Sequence, residues 1–446
     1  HFYSELMQQV TGDESNLSTG YSLYPIFEKS IFHPKVWMLF GKTEGLLLVG
    51  SGNLTNAGNG GNDEIWGAYH FDINQSQNAA IFSAAWLYIS QISATARGIM
   101  SEKTTCWITE HSQWIMKLPK VREFQFADLS DNKSVAFLYN ANRSTIWQQV
   151  LQLIGSDKIT EITAVSPYYD TQGKALEEIK MKFPNAHFNV ILDESGIIPV
   201  LLPNNKKYSF YDWKGLQICR NIGANQQTKL HAKILHFKTS KDTEYCLFGS
   251  ANITSAGLGM SNNPNAEASL FLKSIEGKIL DEIGLKLNNE NRKSFSQFVE
   301  NKKVSTEQKI IHNNRFPIKL LAAEINDVTL SVYISKETDT PVVVAIYDNN
   351  DILIKVHVVE ALKTKHEINL DTDENTCRYV QILSVDENAK LSNKIIVSNC
   401  FSIANTRPNL NNAELERLCW QLQNGELRSV FDLIHYAIID ESEKED

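Results

Sequence analysis

A histidine and a lysine two residues apart occur twice in this 446-residue chain, as His33 with Lys35 and as His231 with Lys233. Each pair opens an apolar stretch that ends in Gly-Ser-x-Asn. The first copy reads IFHPKVWMLFGKTEGLLLVGSGNLTNAG over 31–58, and the second reads KLHAKILHFKTSKDTEYCLFGSANITSAGLG over 229–259. The lysine precedes the turn asparagine by 18 residues in one copy (Asn53) and by 19 in the other (Asn252). Both copies continue into N-(L/I)-T-x-A-G, and both reach an Asn-x-Glu, Asn62 to Glu64 and Asn265 to Glu267. A single pair of this kind is a commonplace of strands. A duplicated pair with a duplicated turn is the mark of an internal repeat that carries chemistry.

Strand alternation places residues two apart on one face, so His and Lys are expected to point into one pocket. The short Gly-Ser-x-Asn turn lets a phosphate approach backbone amides, and the N-terminus of the helix expected after it favours an anion. Ser51 and Ser250 are candidates to hydrogen-bond that phosphate, although serine is also an ordinary turn residue. Each repeat thus offers an imidazole, a fixed positive charge and a neutral amide to one oxyanion, which is half of a phosphoryl-transfer site.

The pattern resembles the phospholipase D superfamily, whose signature is HxK, four residues, Asp, then GSxN; the likeness covers about 31–72 and 229–272. The signature aspartate would fall at Phe40 and Lys238, so both copies lack it. That loss is similar to the tyrosyl-DNA phosphodiesterases and some nuclease branches rather than to lipid-cleaving members. The resemblance implies two hairpins meeting at a pseudo-twofold axis. One histidine would form a phosphohistidine, and the other would protonate the leaving oxygen and later activate water. It assigns His33 as nucleophile and His231 as acid and base. Lys35, Lys233, Asn53 and Asn252 would bind the non-bridging oxygens, with no metal and no cofactor required. A nucleophilic imidazole needs an acceptor on its other nitrogen. Glu64 and Glu267 fit, each following its own histidine, by 31 and 36 residues, at the start of an expected strand.

The implied activity is metal-independent cleavage of nucleic-acid phosphodiester bonds, DNA ahead of RNA, in repair, restriction or phage defence. The alternatives are a phospholipid phosphodiesterase and a catalytically inactive nucleic-acid-binding module. A helicase or ATPase partner and a homo-oligomer are compatible with this reading. Lys206, Lys207 and Tyr208, with Tyr211 and Trp213, are candidates to line a substrate groove by charge and stacking.

The elements that must position these residues read as α/β, in two phospholipase D-like α/β/α halves forming a pseudo-dimer. A C-terminal β-sandwich-like domain with terminal helices follows. The expected bounds are 1–125, 126–305 and 306–446. The second half reads strand SVAFLYN, helix STIWQQVLQLIG, strand EITAVSPYYD, helix GKALEEIKMKF, strand HFNVILD, the stretch NKKYSFYDW and strand KLHAKILHF. The first half has only 32 residues before His33, so its opening strands are expected upstream of His1, with HFYSELMQQV the remnant of a helix. The stretch 78–98 reads as its closing helix. Short alternating strands from about 311 form the sandwich, and NAELERLCWQLQNG with ELRSVFDLIHYAII forms the helix pair.

A net charge of −9 argues against non-specific nucleic-acid binding over the whole surface, though not against a local groove. No apolar run reaches the roughly 18 residues of a membrane span, and six scattered cysteines without CxxC spacing suggest neither disulfides nor zinc. A cytoplasmic protein without a membrane partner is the expectation.

Overall fold

The first repeat folds as an antiparallel hairpin, β1 (Val36–Phe40) with β2 (Glu44–Gly50), in the register Val36 to Val49. The computed structural model describes residues 24–400 apart from 25, 29, 55–60, 122–123, 130–131, 142, 217–227, 300–315, 327, 349, 371–376 and 387–388. The expected helix remnant at 1–10 and the terminal helix pair lie outside the described residues. One compact unit takes in residues 27–88 and 111–308, and a second takes in 89–110 together with the residues from 309 onward.

In the first unit a two-residue strand, β3 (Asn62–Asp63), leads to β4 (Trp66–Asp72), which pairs with β2 to complete a three-stranded sheet. The helix α1 (Ala79–Ser93) follows, burying Ile81, Phe82 and Ala85. After α2 (Ile99–His111), which belongs to the second unit up to residue 110, the chain forms the larger sheet of the first. Its strands are β5 (Ala127–Asp128), β6 (Lys133–Tyr139), β7 (Ile159–Val165), β8 (His187–Leu192), β9 (Ser209–Asp212), β11 (Ile234–Thr239), β12 (Glu244–Gly249), β13 (Ala268–Ser274) and β14 (Arg292–Lys293). They lie in the order β14-β9-β8-β7-β11-β12-β13-β6-β5. A separate short strand, β10 (Lys229–Leu230), leaves this sheet and pairs in parallel with β3.

The crossovers show why the sequence reads as α/β. Helix α3 (Ile146–Ile154) is closed by a capping box, in which Thr145 accepts from Gln148 N at 3.4 Å and Gln148 Oε1 accepts from Thr145 N at 3.0 Å. Such a cap contributes about 1 kcal/mol. Its apolar stripe, Ile146, Val150 and Ile154, is buried in the core of the large sheet. Helix α4 (Lys174–Lys182) joins β7 to β8, and β7, β8 and β9 run parallel. Their C-terminal ends therefore open on one edge, where an α/β layout places a site.

Two motif positions must be glycine because the next strand crosses against them. A Cβ at Gly50 would stand 2.3 Å from the Trp66 ring, and one at Gly249, at φ +147°, would stand 2.6 Å from Ser269 Cα.

The second unit carries two four-stranded sheets, β19-β16-β15-β22 and β18-β17-β20-β21. Its strands are β15 (Leu320–Asn326), β16 (Thr329–Ile334), β17 (Val342–Tyr347), β18 (Leu353–Val359), β19 (Lys365–Asn369), β20 (Tyr379–Leu383), β21 (Ile395–Ile396) and β22 (Ser398–Asn399). Ile325, Leu330 and Val332 from one sheet share a core with Val342, Val344 and Ile382 from the other. Among the described residues, no helix is long and apolar enough to cross a membrane.

Candidate active site

The expected strand KLHAKILHF is two strands with a break at the motif, and His231 to Lys233 lie in neither β10 nor β11. His33 and Lys35 likewise precede β1. The backbone explains this. His231 N and Ala232 N both donate to Asp63 O, at 2.9 and 2.7 Å, while His33 N donates to Ala266 O at 2.9 Å. Each histidine is thus pinned to the segment carrying the other repeat's glutamate, and not to its own hairpin partner.

That exchange crosses the charge partners. His33 Nδ1 stands 3.0 Å from Glu267 Oε2, and His231 Nδ1 stands 2.7 Å from Glu64 Oε1. Sequence order pairs Glu64 with His33 and Glu267 with His231; the structure reverses both. The Glu267 contact is an aligned hydrogen bond. At His231 the carboxylate lies off the N–H direction, so that contact is a close approach rather than a directed bond.

The serines are explained differently from the expectation. Ser51 and Ser250 are fully buried, so neither reaches a substrate phosphate. Ser51 Oγ donates to Glu64 Oε2, and Ser250 Oγ donates to Glu267 Oε2 at 2.5 Å. Each hydroxyl also accepts a backbone N–H, from Ile65 and Ala268 respectively, both at 2.9 Å. The remaining carboxylate oxygens receive Asn62 Nδ2 at 3.4 Å and Asn265 Nδ2 at 3.3 Å. Two matching chains result, Ser51–Glu64–His231 and Ser250–Glu267–His33. The asparagines of the repeated Asn-x-Glu had no role in the sequence reading, although their duplication was visible there.

Both lysines are buried, Lys233 almost completely at 1% exposure, and each bonds the carbonyl of its own histidine: Lys35 Nζ to His33 O at 2.8 Å, Lys233 Nζ to His231 O at 2.5 Å. The ammonium therefore anchors the motif backbone beside its histidine. Asn252 is half-buried and its Oδ1 lies 3.4 Å from Ser166 Oγ; Asn53 is half-buried at the matching place. The helix expected after the second turn does not form. Residues 253–259 make turns, with Ile253 N donating to Ser166 Oγ at 3.2 Å and Ser255 N donating to Asp170 at 3.0 Å. Those amides are occupied, so no helix end faces an anion there.

The proposed groove residues are corrected more strongly. Tyr208, Tyr211 and Trp213 are buried, so they offer no face for a base. Tyr208 donates to Glu177 at 2.7 Å, and Trp213 Nε1 donates to Asp63 Oδ2 at 3.0 Å. Lys206 and Lys207 are exposed, but they precede β9, whose C-terminal end leads toward the site. A strand of that length spans about 10 Å, which puts these lysines at the opposite edge of the sheet.

Burial sets the electrostatics of the site. Burial lowers the pKa of His33, against the raising effect of Glu267 and with the help of Lys35 and Lys233. Burial also pulls Lys233 down to about 8, partly countered by Glu64 and Glu267. Burial would raise Glu64, but the neighbouring His231, with Lys233 and Ser51, holds it below its ordinary value.

No family model matches the chain, and no curated protein does. The similar solved structures include a phospholipase D family member. It is Nuc from Salmonella typhimurium, at a TM-score of 0.22 and 16% identity, covering 34% of this chain and 88% of that one. Yeast tyrosyl-DNA phosphodiesterase is similar at a TM-score of 0.35 and 10% identity, covering 54% of this chain and 67% of that one. NucT from Helicobacter pylori is similar at 0.23 and 11%, covering 34% and 90%. Likeness at such scores and identities says nothing of substrate or activity.

Proposed function

We propose that the chain is a metal-independent phosphodiesterase of the phospholipase D superfamily, built from two copies of one unit and acting on nucleic-acid phosphodiester bonds through a phosphohistidine. The crossed pairs carry this reading: two imidazoles are each backed by a carboxylate of the other repeat, and a buried lysine bonds the carbonyl of each histidine.

The charges suit a diester. Two carboxylates balance two ammoniums, and one imidazolium leaves a single positive charge, which a phosphodiester monoanion neutralises. Glu267 occupies Nδ1 of His33, so Nε2 holds the lone pair that attacks phosphorus. As the P–N bond forms and the P–O bond breaks, His231 gives its proton to the leaving oxygen. Water then attacks phosphorus, His231 takes the water's proton, and the P–N bond breaks to release His33. Lys35, Lys233, Asn53 and Asn252 bind the non-bridging oxygens as charge builds. Lysine is a strongly hydrated point charge in water, and its burial here strengthens that interaction.

Hydrolysis of a labelled oligonucleotide should continue undiminished in EDTA, because the lysines and imidazoles perform the charge neutralisation and nucleophile supply of a metal site. Strict dependence on Mg²⁺ or Mn²⁺ would overturn the mechanism.

The pH profile is expected to be a bell. Below the lowered pKa of His33 the nucleophile is protonated and the rate falls; above about 8, Lys233 loses its charge and the rate falls again. Lys233→Arg keeps a charge to far higher pH. Its alkaline limb should move upward, and an unmoved limb assigns that limb to another group.

A further inference from the structure

Beside His231, the loops that leave β7 and β8 run edge to edge and present apolar side chains to solvent. Tyr168 and Ile197 form a parallel bridge, tied by Tyr169 N to Ile197 O at 3.0 Å and by Ile197 N to Pro167 O at 2.9 Å. Gly196 permits the approach, since a Cβ there would stand 2.0 Å from Pro167 O. Tyr168 is 40% exposed and Ile197 is 51% exposed. The Tyr168 ring meets the His231 ring at 84°, with centroids 6.5 Å apart. Ser166 Oγ lies 2.8 Å from Tyr168 O and 3.4 Å from Asn252 Oδ1, so one hydroxyl holds both the aromatic ledge and the amide of the turn. An exposed tyrosine fixed in this way is not core packing, and its ring stands beside the imidazole whose carbonyl holds the buried Lys233.

We propose that Tyr168, flanked by Ile197, stacks an unpaired nucleobase on the leaving-group side of the scissile phosphate, so that the substrate is a single strand or an unpaired end. This rests on the phosphodiesterase reading and on His231 as the leaving-group acid. A flat ring fixed at a deep phosphate site accepts a base that has left its stack, because every base has a π-face. A base held within a duplex presents its edges, and its faces are covered by neighbours.

The test compares wild type, Tyr168→Ala and Tyr168→Phe on a single-stranded oligonucleotide, its duplex, and an abasic strand of equal length. Binding is read by fluorescence anisotropy and turnover by gel. Tyr168→Ala should weaken binding and raise KM on the single strand by about tenfold or more, as expected from loss of one base–aromatic stack. It should leave the abasic strand unchanged, and Tyr168→Phe should behave as wild type. Equal losses on normal and abasic strands, no loss on either, or tighter binding of duplex would each overturn the proposal. If wild type cleaves none of the three strands, the phosphodiesterase reading fails instead, and the anisotropy comparison still decides whether Tyr168 holds a base.

Discussion

His33→Ala should abolish turnover and covalent adduct together, whereas His231→Asn should let a phosphoryl-protein adduct accumulate on His33. A positioned acid or base is worth about 100- to 10,000-fold, and losses of that order are expected for either change. The repeat makes the two histidines look equivalent, yet the chemistry needs one neutral nucleophile and one protonated acid. The surroundings of His33 suit the nucleophile. His33 has its pKa lowered by burial, which keeps a lone pair available, and an aligned bond to Glu267 fixes which nitrogen bears it. His231 has Glu64 Oε1 2.7 Å from its Nδ1, which leaves Nε2 to face the leaving oxygen. Trapping labelled substrate on a denaturing gel, then mapping the modified peptide, reads the outcome. An adduct on His231 would exchange the roles, and cleavage with no adduct in any variant would mean direct attack by water.

The residues of this site were legible because they are duplicated, and duplication survives without any knowledge of packing. His33, Lys35, Asn53 and Glu64 recur as His231, Lys233, Asn252 and Glu267, and the structure sets each histidine against the other copy's glutamate, with Lys233 within electrostatic reach of both carboxylates. What the sequence could not tell is which copy serves which. Linear order favours the nearer partner, and the crossed arrangement depends on β3 pairing with β10 and on Phe32 bridging to Ala266, contacts between residues some 167 and 234 apart in the chain. The serines and the groove residues failed for a related reason. Ser51 and Tyr208 have the right chemistry for a ligand, but burial, which composition does not reveal at single positions, assigns their hydroxyls to Glu64 and Glu177. Tyr168 was passed over inside an apparent strand, because β7 ends at Val165 and the loop beyond it exposes the ring.

The crossing of the glutamates has its own expected result. Glu267→Gln should slow formation of the adduct, and Glu64→Gln should slow its breakdown, each on the order of 100-fold, the upper end of what an orienting hydrogen-bond partner contributes. Glutamine keeps the shape of the side chain but offers one acceptor where Glu267 Oε2 serves both Ser250 and His33. The imidazole then loses the charge that holds its Nδ1–H in place, and with it the basicity of Nε2. The clean measurement uses the His231→Asn background and a nucleotide ester with a p-nitrophenyl leaving group, which departs without a proton. In that background Glu64 has no imidazole to orient. Adding Glu267→Gln should therefore reduce the burst rate of p-nitrophenolate, while adding Glu64→Gln should leave it unchanged, with thermal midpoints confirming that each variant is folded. The reverse pattern, a burst slowed by the Glu64 change and indifferent to the Glu267 change, would restore the pairing that linear order suggests and remove the exchange between repeats from the mechanism.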